Sequence, residues 1–242
     1  MKVFTLGVAL LMMATLAQAA DFEYMTVLLR AAPGSLPQLI ETLKDDIDKH
    51  EQYGIEQPYL MRHSQGDQWD LLLIIPIGNR HEWYAPEAIE KRKNSNSFDK
   101  PYYDEFYELI AHHEELIATG PSYELFRNRF ESYDFYHVEM FVAVPGRRKE
   151  LLRQREMENV YYAETGRQGN LIFTRVAGSA WDVFTIGFYS DLGSFATSSD
   201  VIPKADKENA ARKAGFKNLD HISFYLRELI TMHHDTLAGA VR

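Results

Sequence analysis

His137 and Glu139 stand two apart in the apolar, β-rich run from Tyr136 to Val144, a spacing that puts both side chains on one face of a strand. An imidazole beside a carboxylate can serve as a general base or orient a ligand. Neighbouring strand-like runs add Arg62, His63 and Arg175, with Thr185 nearby, so His137, Glu139, Arg175, Arg62 and His63 form the candidate ligand-binding set. The competing reading places His137 and Glu139 on the solvated face of a half-buried strand. A second constellation is the pair of doublets His112-His113 and His233-His234. In a helix, adjacent side chains diverge by about 100°, so a doublet does not chelate one ion. A metal site would need His113, His233, Glu115 and Asp235 brought together from two helices. Against it, His113 lies between Leu109 and Ile117, and His233 between Leu229 and Leu237, the placement of a packed, structural histidine. No phosphate-binding glycine loop, nucleophile elbow or His-Glu-x-x-His motif is present, and no catalytic residue is assigned.

Other chemistry-bearing groups have structural readings. The aromatics between Trp83 and Tyr107, among them Tyr84, Phe98, Tyr102, Tyr103 and Phe106, read as core or interface. Arg147-Arg148-Lys149 reads as a solvated first turn of a helix, where cations oppose the helix dipole.

The elements that must position these residues emerge when the chain is compared with itself. Pro33-Gly34 and Pro145-Gly146, Gly54 and Gly166, Gly66 and Gly178, and Trp69-Asp70 and Trp181-Asp182 are each 112 residues apart with no gap. Later, Glu108-Leu109-Ile110 matches Glu228-Leu229-Ile230, and His113 matches His233, at a spacing of 120, implying an insertion of eight residues in the second copy between about 191 and 217. Periodicity predicts a strand at 22–31, a helix at 35–53 ending at Gly54, strands at 59–63 and 69–75, and a long helix ending in 102–118. The second half repeats this, with strands at 136–144, 171–176 and 181–188 around a helix at 147–165 and a final helix to the C-terminus. The expected fold class is therefore α+β, two ferredoxin-like β-α-β-β-α repeats at 20–130 and 131–242. A fourth strand is uncertain, with 123–127 as its candidate in the first repeat.

Lys2, the apolar run from Val3 to Leu16 and Ala17-Gln18-Ala19 have the three parts of a secretory signal peptide. The run is shorter than the roughly 20 residues a membrane-spanning helix requires, so residues 1–19 are expected to be removed, leaving an exported protein, periplasmic if bacterial and otherwise secreted, with no membrane anchor. The chain has no cysteine, and its stability must come from its own core. Its net charge of −9 argues against nucleic acid as a partner, since such affinity rests on cations neutralising phosphates.

Pro-Gly closing a first strand, an amphipathic helix stopped by glycine, and a hairpin whose second strand opens with Gly-x-x-Trp-Asp resemble the dimeric α/β-barrel superfamily, especially its stress-responsive, antibiotic-biosynthesis-monooxygenase-like and NIPSNAP-like members. The matching residues are Pro33-Gly34, Gly66 and Trp69-Asp70, then Pro145-Gly146, Gly178 and Trp181-Asp182, within about 50 residues of each half. The resemblance implies two sheets packed face to face as a pseudo-dimeric barrel. Its members include cofactor-free oxygenases and haem-binding chlorite-dismutase-like enzymes, and no residue role carries over. The expected function is binding of a small, partly apolar ligand between the sheets. The alternatives are an oxidoreductase, cofactor-independent or using haem, and a stress-response or assembly protein without a pocket. The partner is a small molecule, and homo-oligomers are compatible with this reading.

Overall fold

The computed structural model describes residues 22–93, 100–197 and 199–242, so the signal segment at 1–19, Phe98 and the side chains of Tyr102 and Tyr103 lie outside the described residues. The first half runs β1 (Phe22–Ala31), α1 (Leu36–Ile47), α2 (His50–Tyr53), β2 (Tyr59–Gln65), β3 (Leu71–Gly78), α3 (Arg80–Trp83), α4 (Pro86–Arg92), α5 (Lys100–Glu108) and β4 (Ile110–Gly120). After α6 (Tyr123–Ser132) come β5 (Phe135–Ala143), α7 (Arg148–Glu164), β6 (Leu171–Gly178), β7 (Val183–Tyr189), α8 (Leu192–Thr197), α9 (Lys204–Lys213), α10 (His221–Leu229) and β8 (Ile230–Val241). The eight strands close into an antiparallel barrel in the order β1-β3-β2-β8-β5-β7-β6-β4. The two halves pair in matching register: Leu29 opposite His113 and Leu71 in one, Phe141 opposite His233 and Val183 in the other. The seams between halves also match, with His63 opposite Ala238 and Arg175 opposite Ala118.

The fourth strand of each half corrects the helical expectation. Leu109, His113 and Ile117 fit helical spacing, yet helix α5 stops at Glu108 and 110–120 is β4; the C-terminal segment is likewise β8, and 123–127 belongs to helix α6. Pairing decides the matter. Strand β4 is hydrogen-bonded along β1 on one edge and to β6 on the other, and a helix there would leave both edges open.

Tyr24, Leu28, Ile74, Tyr136, Phe173 and Phe184 are among the side chains that fill the barrel. Phe126 and Phe130 of α6 pack into the same cluster at the end where β1 and β5 begin. The outer face of the first half carries Leu29, Leu60 and Leu71 under Leu39 and Leu43 of α1; that of the second carries Phe141 and Val183 with Leu151 of α7. Among the predicted aromatics, Tyr84 and Tyr107 are about half exposed, and Arg147 pairs with Glu150 at the surface.

The Gly-x-x-Trp-Asp motif ties these parts together. A Cβ on Gly66 would stand 2.2 Å from the Asp235 carbonyl oxygen, and one on Gly178 2.4 Å from that of Glu115, so each glycine lets its hairpin press on the other half's last strand. Both tryptophans are buried in the barrel cluster. The Asp70 and Asp182 carboxylates accept the backbone N–H of Ala31 (2.8 Å) and Ala143 (2.9 Å), holding the ends of β1 and β5.

Candidate functional site

The first candidate is a cleft of about 280 Å³ at the barrel end opposite α6, lined by Arg30, Trp69, His112, Glu114, Trp181 and His234 among others. Alternation along β1 turns Thr26, Leu28 and Arg30 toward the interior with Tyr24. Across one seam, His234 Nδ1 lies 2.6 Å from Asp67 Oδ2, and the Asp67 side chain is only 6% exposed. An ionised carboxylate only accepts, which makes His234 Nδ1 the donor and keeps Nε2 out of that bond. The ring meets Trp181 edge-on at 4.6 Å. At the matching place on the other seam, Ser179 Oγ donates to Glu114. The two halves differ here: at the matching spacings Asp67 corresponds to Ser179, His234 to Glu114, and Arg30 to Val142. Both indole N–H groups are buried without a hydrogen-bond partner. A void of about 10 Å³ beside Trp181, also lined by Thr26, Glu114 and Ser179, is near the size needed for one water.

The second candidate lies outside the barrel, beneath α7. Glu139 is buried; its Oε2 accepts from Thr185 Oγ1 at 3.1 Å and Arg155 Nη1 at 3.3 Å. Arg155 also donates to Glu158, and His137 Nε2 is bonded to Asp235 Oδ1. Burial alone would raise the Glu139 pKa, but the neighbouring His233, Arg155 and His137 hold it well below the usual carboxylate range. For His137, burial acts downward, and the Asp235 hydrogen bond with the charges of Glu139 and Asp235 outweighs it, leaving the pKa raised.

The predicted ligand set is not brought together. His137 and Glu139 share a face as expected, but it is the helix-covered outer face, because Tyr136, Val138 and Met140 take the inward positions of β5. Arg62 is exposed on the outer face of β2. His63 sits 5.8 Å from the Trp69 ring, and Arg175 is held by Asp182 at 2.6 Å. The metal set is split as well: His233 lies 3.4 Å from Glu139 under α7, with Asp235 bonded to His137 there, while His113 and Glu115 are exposed on β4, which is not a neighbour of β8 in the barrel. Arg155 escaped the sequence reading and Thr185 was noted only beside the candidate set; Asp67 was missed, and His234 was seen only as half of a doublet. The 112-residue comparison carried a signal for the first two, since Arg155 and Thr185 replace Leu43 and Leu73, just where Glu139 replaces Val27.

Solved structures share this architecture. An anthrone oxidase-like protein superposes with a TM-score of 0.57 over 91% of each chain at 14% identity. A candidate monooxygenase from Fusobacterium nucleatum superposes with a TM-score of 0.55 over 92% of this chain and 94% of its own, at 11% identity. The likeness is one of fold, α+β with a closed eight-stranded antiparallel barrel, consistent with the dimeric α+β barrels. Here a single chain supplies all eight strands. No protein-family model and no curated protein sequence matches the chain. Among the described residues no helix is long and apolar enough to cross a membrane.

Proposed function

We propose that the chain is an exported tandem duplication that binds a small, partly apolar, aromatic molecule in the cleft at the barrel mouth. The observation that carries this reading is the convergence of Trp69 and Trp181 with Arg30, His112 and the His234–Asp67 pair around one cleft. Apolar walls with a few placed polar groups are what small-molecule sites look like. The duplication is supported by the 112- and 120-residue spacings and the matching registers of the two halves. Export rests on residues 1–19 alone; the intact mass of protein recovered from the extracytoplasmic fraction is expected to correspond to a chain beginning at Ala20, and an uncleaved N-terminus there would end that part of the reading.

The His234–Asp67 pair favours a second reading, a cofactor-independent oxidase. Asp67 fixes the tautomer, so His234 Nε2 is placed to take a proton from an acidic C–H of a bound aromatic. The resulting carbanion would react with dioxygen, a CH₂ group becoming a carbonyl as one oxygen atom enters the product and the other leaves as water. The likeness to an anthrone oxidase-like protein suggests an activated methylene between aromatic rings as the substrate class. At about 280 Å³ the cleft is at the lower end of the range for drug-sized ligands, too small to enclose a haem, and haem plays no part in the reaction drawn. Titration with a panel of anthrones and polycyclic phenols is expected to give saturable quenching of tryptophan emission, reduced in Trp69→Phe. His234→Gln should retain quenching and lose oxygen consumption. Absence of quenching across the panel would remove the binding reading, and oxygen uptake unchanged in His234→Gln would remove the oxidase.

A further inference from the structure

Beneath α7, His137, Glu139 and Asp235 each offer one ligand atom, and these atoms all lie within 4.8 Å of one another. The strand register explains the convergence: Glu139 of β5 is directly opposite Asp235 of β8, and His137 is one same-face position away. We infer that His137, Glu139 and Asp235 form a binding site for a divalent first-row transition cation, separate from the cleft at the barrel mouth.

Three features of the surroundings support this. Glu139 Oε2 is held by Arg155 and Thr185, which fixes the carboxylate and leaves Oε1 as the free ligand atom, the outer-shell arrangement typical of metal carboxylates. The buried His233 Nε2 stands 3.4 Å from that oxygen, so an adjacent imidazole is placed to join the shell. With the histidines neutral, Glu139 and Glu158 on the Arg155 guanidinium together with Asp235 on His137 leave an excess of two negative charges that a divalent ion would neutralise. Tyr162 of α7, whose hydroxyl donates to Glu158 and whose ring lies under the Arg167 guanidinium, Tyr189 of β7 and the Phe195 ring of α8 against His137 also border the site. Entry is from the Asp235 side, where the side chain is 56% exposed while those of His137 and Glu139 are 17% and 10% exposed. One imidazole nitrogen with two carboxylate oxygens suits zinc, cobalt, manganese or iron(II) rather than a hard alkaline-earth cation held by oxygen alone. The first half cannot repeat the site, since Met25 and Val27 stand at the matching positions.

Metal binding needs unprotonated ligand atoms, so protons compete with the ion and affinity should weaken in acid. The full chain, stripped with a chelator, is titrated with Zn²⁺ by calorimetry and with Co²⁺ by visible absorption. One ion per chain is expected, with affinity reduced about tenfold or more in Asp235→Asn. Asp235 is exposed, and circular dichroism of that variant checks that folding is retained. His234→Gln, at the barrel mouth, is expected to bind as tightly as the parent chain. No binding at millimolar Zn²⁺, an affinity unchanged in Asp235→Asn, a loss of binding in His234→Gln, or two ions per chain would each overturn the assignment.

Discussion

Replacing Arg155 with leucine is expected to destabilise the protein by about 3–5 kcal/mol at pH 7, the cost of leaving a buried carboxylate without its partner. Arg155 is 3% exposed and donates to both Glu139 and Glu158, so its removal strands Glu139 between α7 and the sheet. Leucine is the informative choice because Leu43 occupies the matching position of α1. Changing Glu139→Val and Thr185→Leu as well, to match Val27 and Leu73, should recover most of the loss, since a buried ion pair exchanged whole for packed apolar groups is often neutral or stabilising. The pH dependence has a definite sign. Glu139 is held below its ordinary pKa in the folded protein, so its contribution is present above the unfolded value and fades as pH falls. The Arg155→Leu deficit should therefore shrink toward pH 4. His137 acts oppositely: its raised pKa contributes below its ordinary value and is lost as pH rises through the folded one. Urea unfolding across this range checks both. An Arg155→Leu cost under about 1 kcal/mol, or a deficit that grows in acid, would show that the Glu139 charge is compensated by other groups.

The barrel could be read from the sequence where a motif has one geometric use. Gly66, Trp69 and Asp70 each do a job that few other residues can, and their recurrence at Gly178, Trp181 and Asp182 marked the hairpins of both halves. Segment 110–118 misled because its apolar residues satisfy two periods at once: Leu109, His113 and Ile117 fit a helix, whereas Leu116 and Ala118 fit the strand that turns them inward. What settles it is the open edge of β1, a partner remote in sequence. The alternation of His137 and Glu139 was legible but their direction was not. Strand β5 is covered by the barrel core on one side and by α7 on the other, so period-two patterning separates two buried faces without saying which is which. Arg155 was hidden for a related reason: a lone arginine in a charged helix looks solvated until the facing strand is seen to carry Glu139. The cleft at the mouth is assembled from residues as distant as Arg30 and His234, and depends on closure of the barrel.

That closure is what substitution of Gly66 or Gly178 by alanine should attack. Gly66 has φ of +120° and Gly178 of +96°, conformations that side chains with a Cβ rarely adopt. The added methyl would meet backbone rather than a movable side chain: the Asp235 carbonyl oxygen at 2.2 Å and the Thr236 Cα at 2.8 Å for Gly66, and the Glu115 carbonyl oxygen at 2.4 Å for Gly178. Relief requires the hairpin to lift from β8 or β4, opening a seam through which the Asp67–His234 or Ser179–Glu114 bond is made. Strain and overpacking together should cost about 3–5 kcal/mol at either position, on the order of 10 °C in Tm for a chain of this size. Gly34 supplies the control: its φ is +85° but nothing lies within 4 Å of an added Cβ, so Gly34→Ala carries only the left-handed backbone penalty, about 1–2 kcal/mol. Equal losses at Gly34 and Gly66 would mean that backbone conformation, and not the close approach of the two halves, is what these glycines protect. A loss at Gly66 well beyond that of Gly34, accompanied by weaker aromatic quenching at the mouth, is the outcome that ties the seam to the cleft, because His234 and its partner Asp67 lie on opposite sides of it.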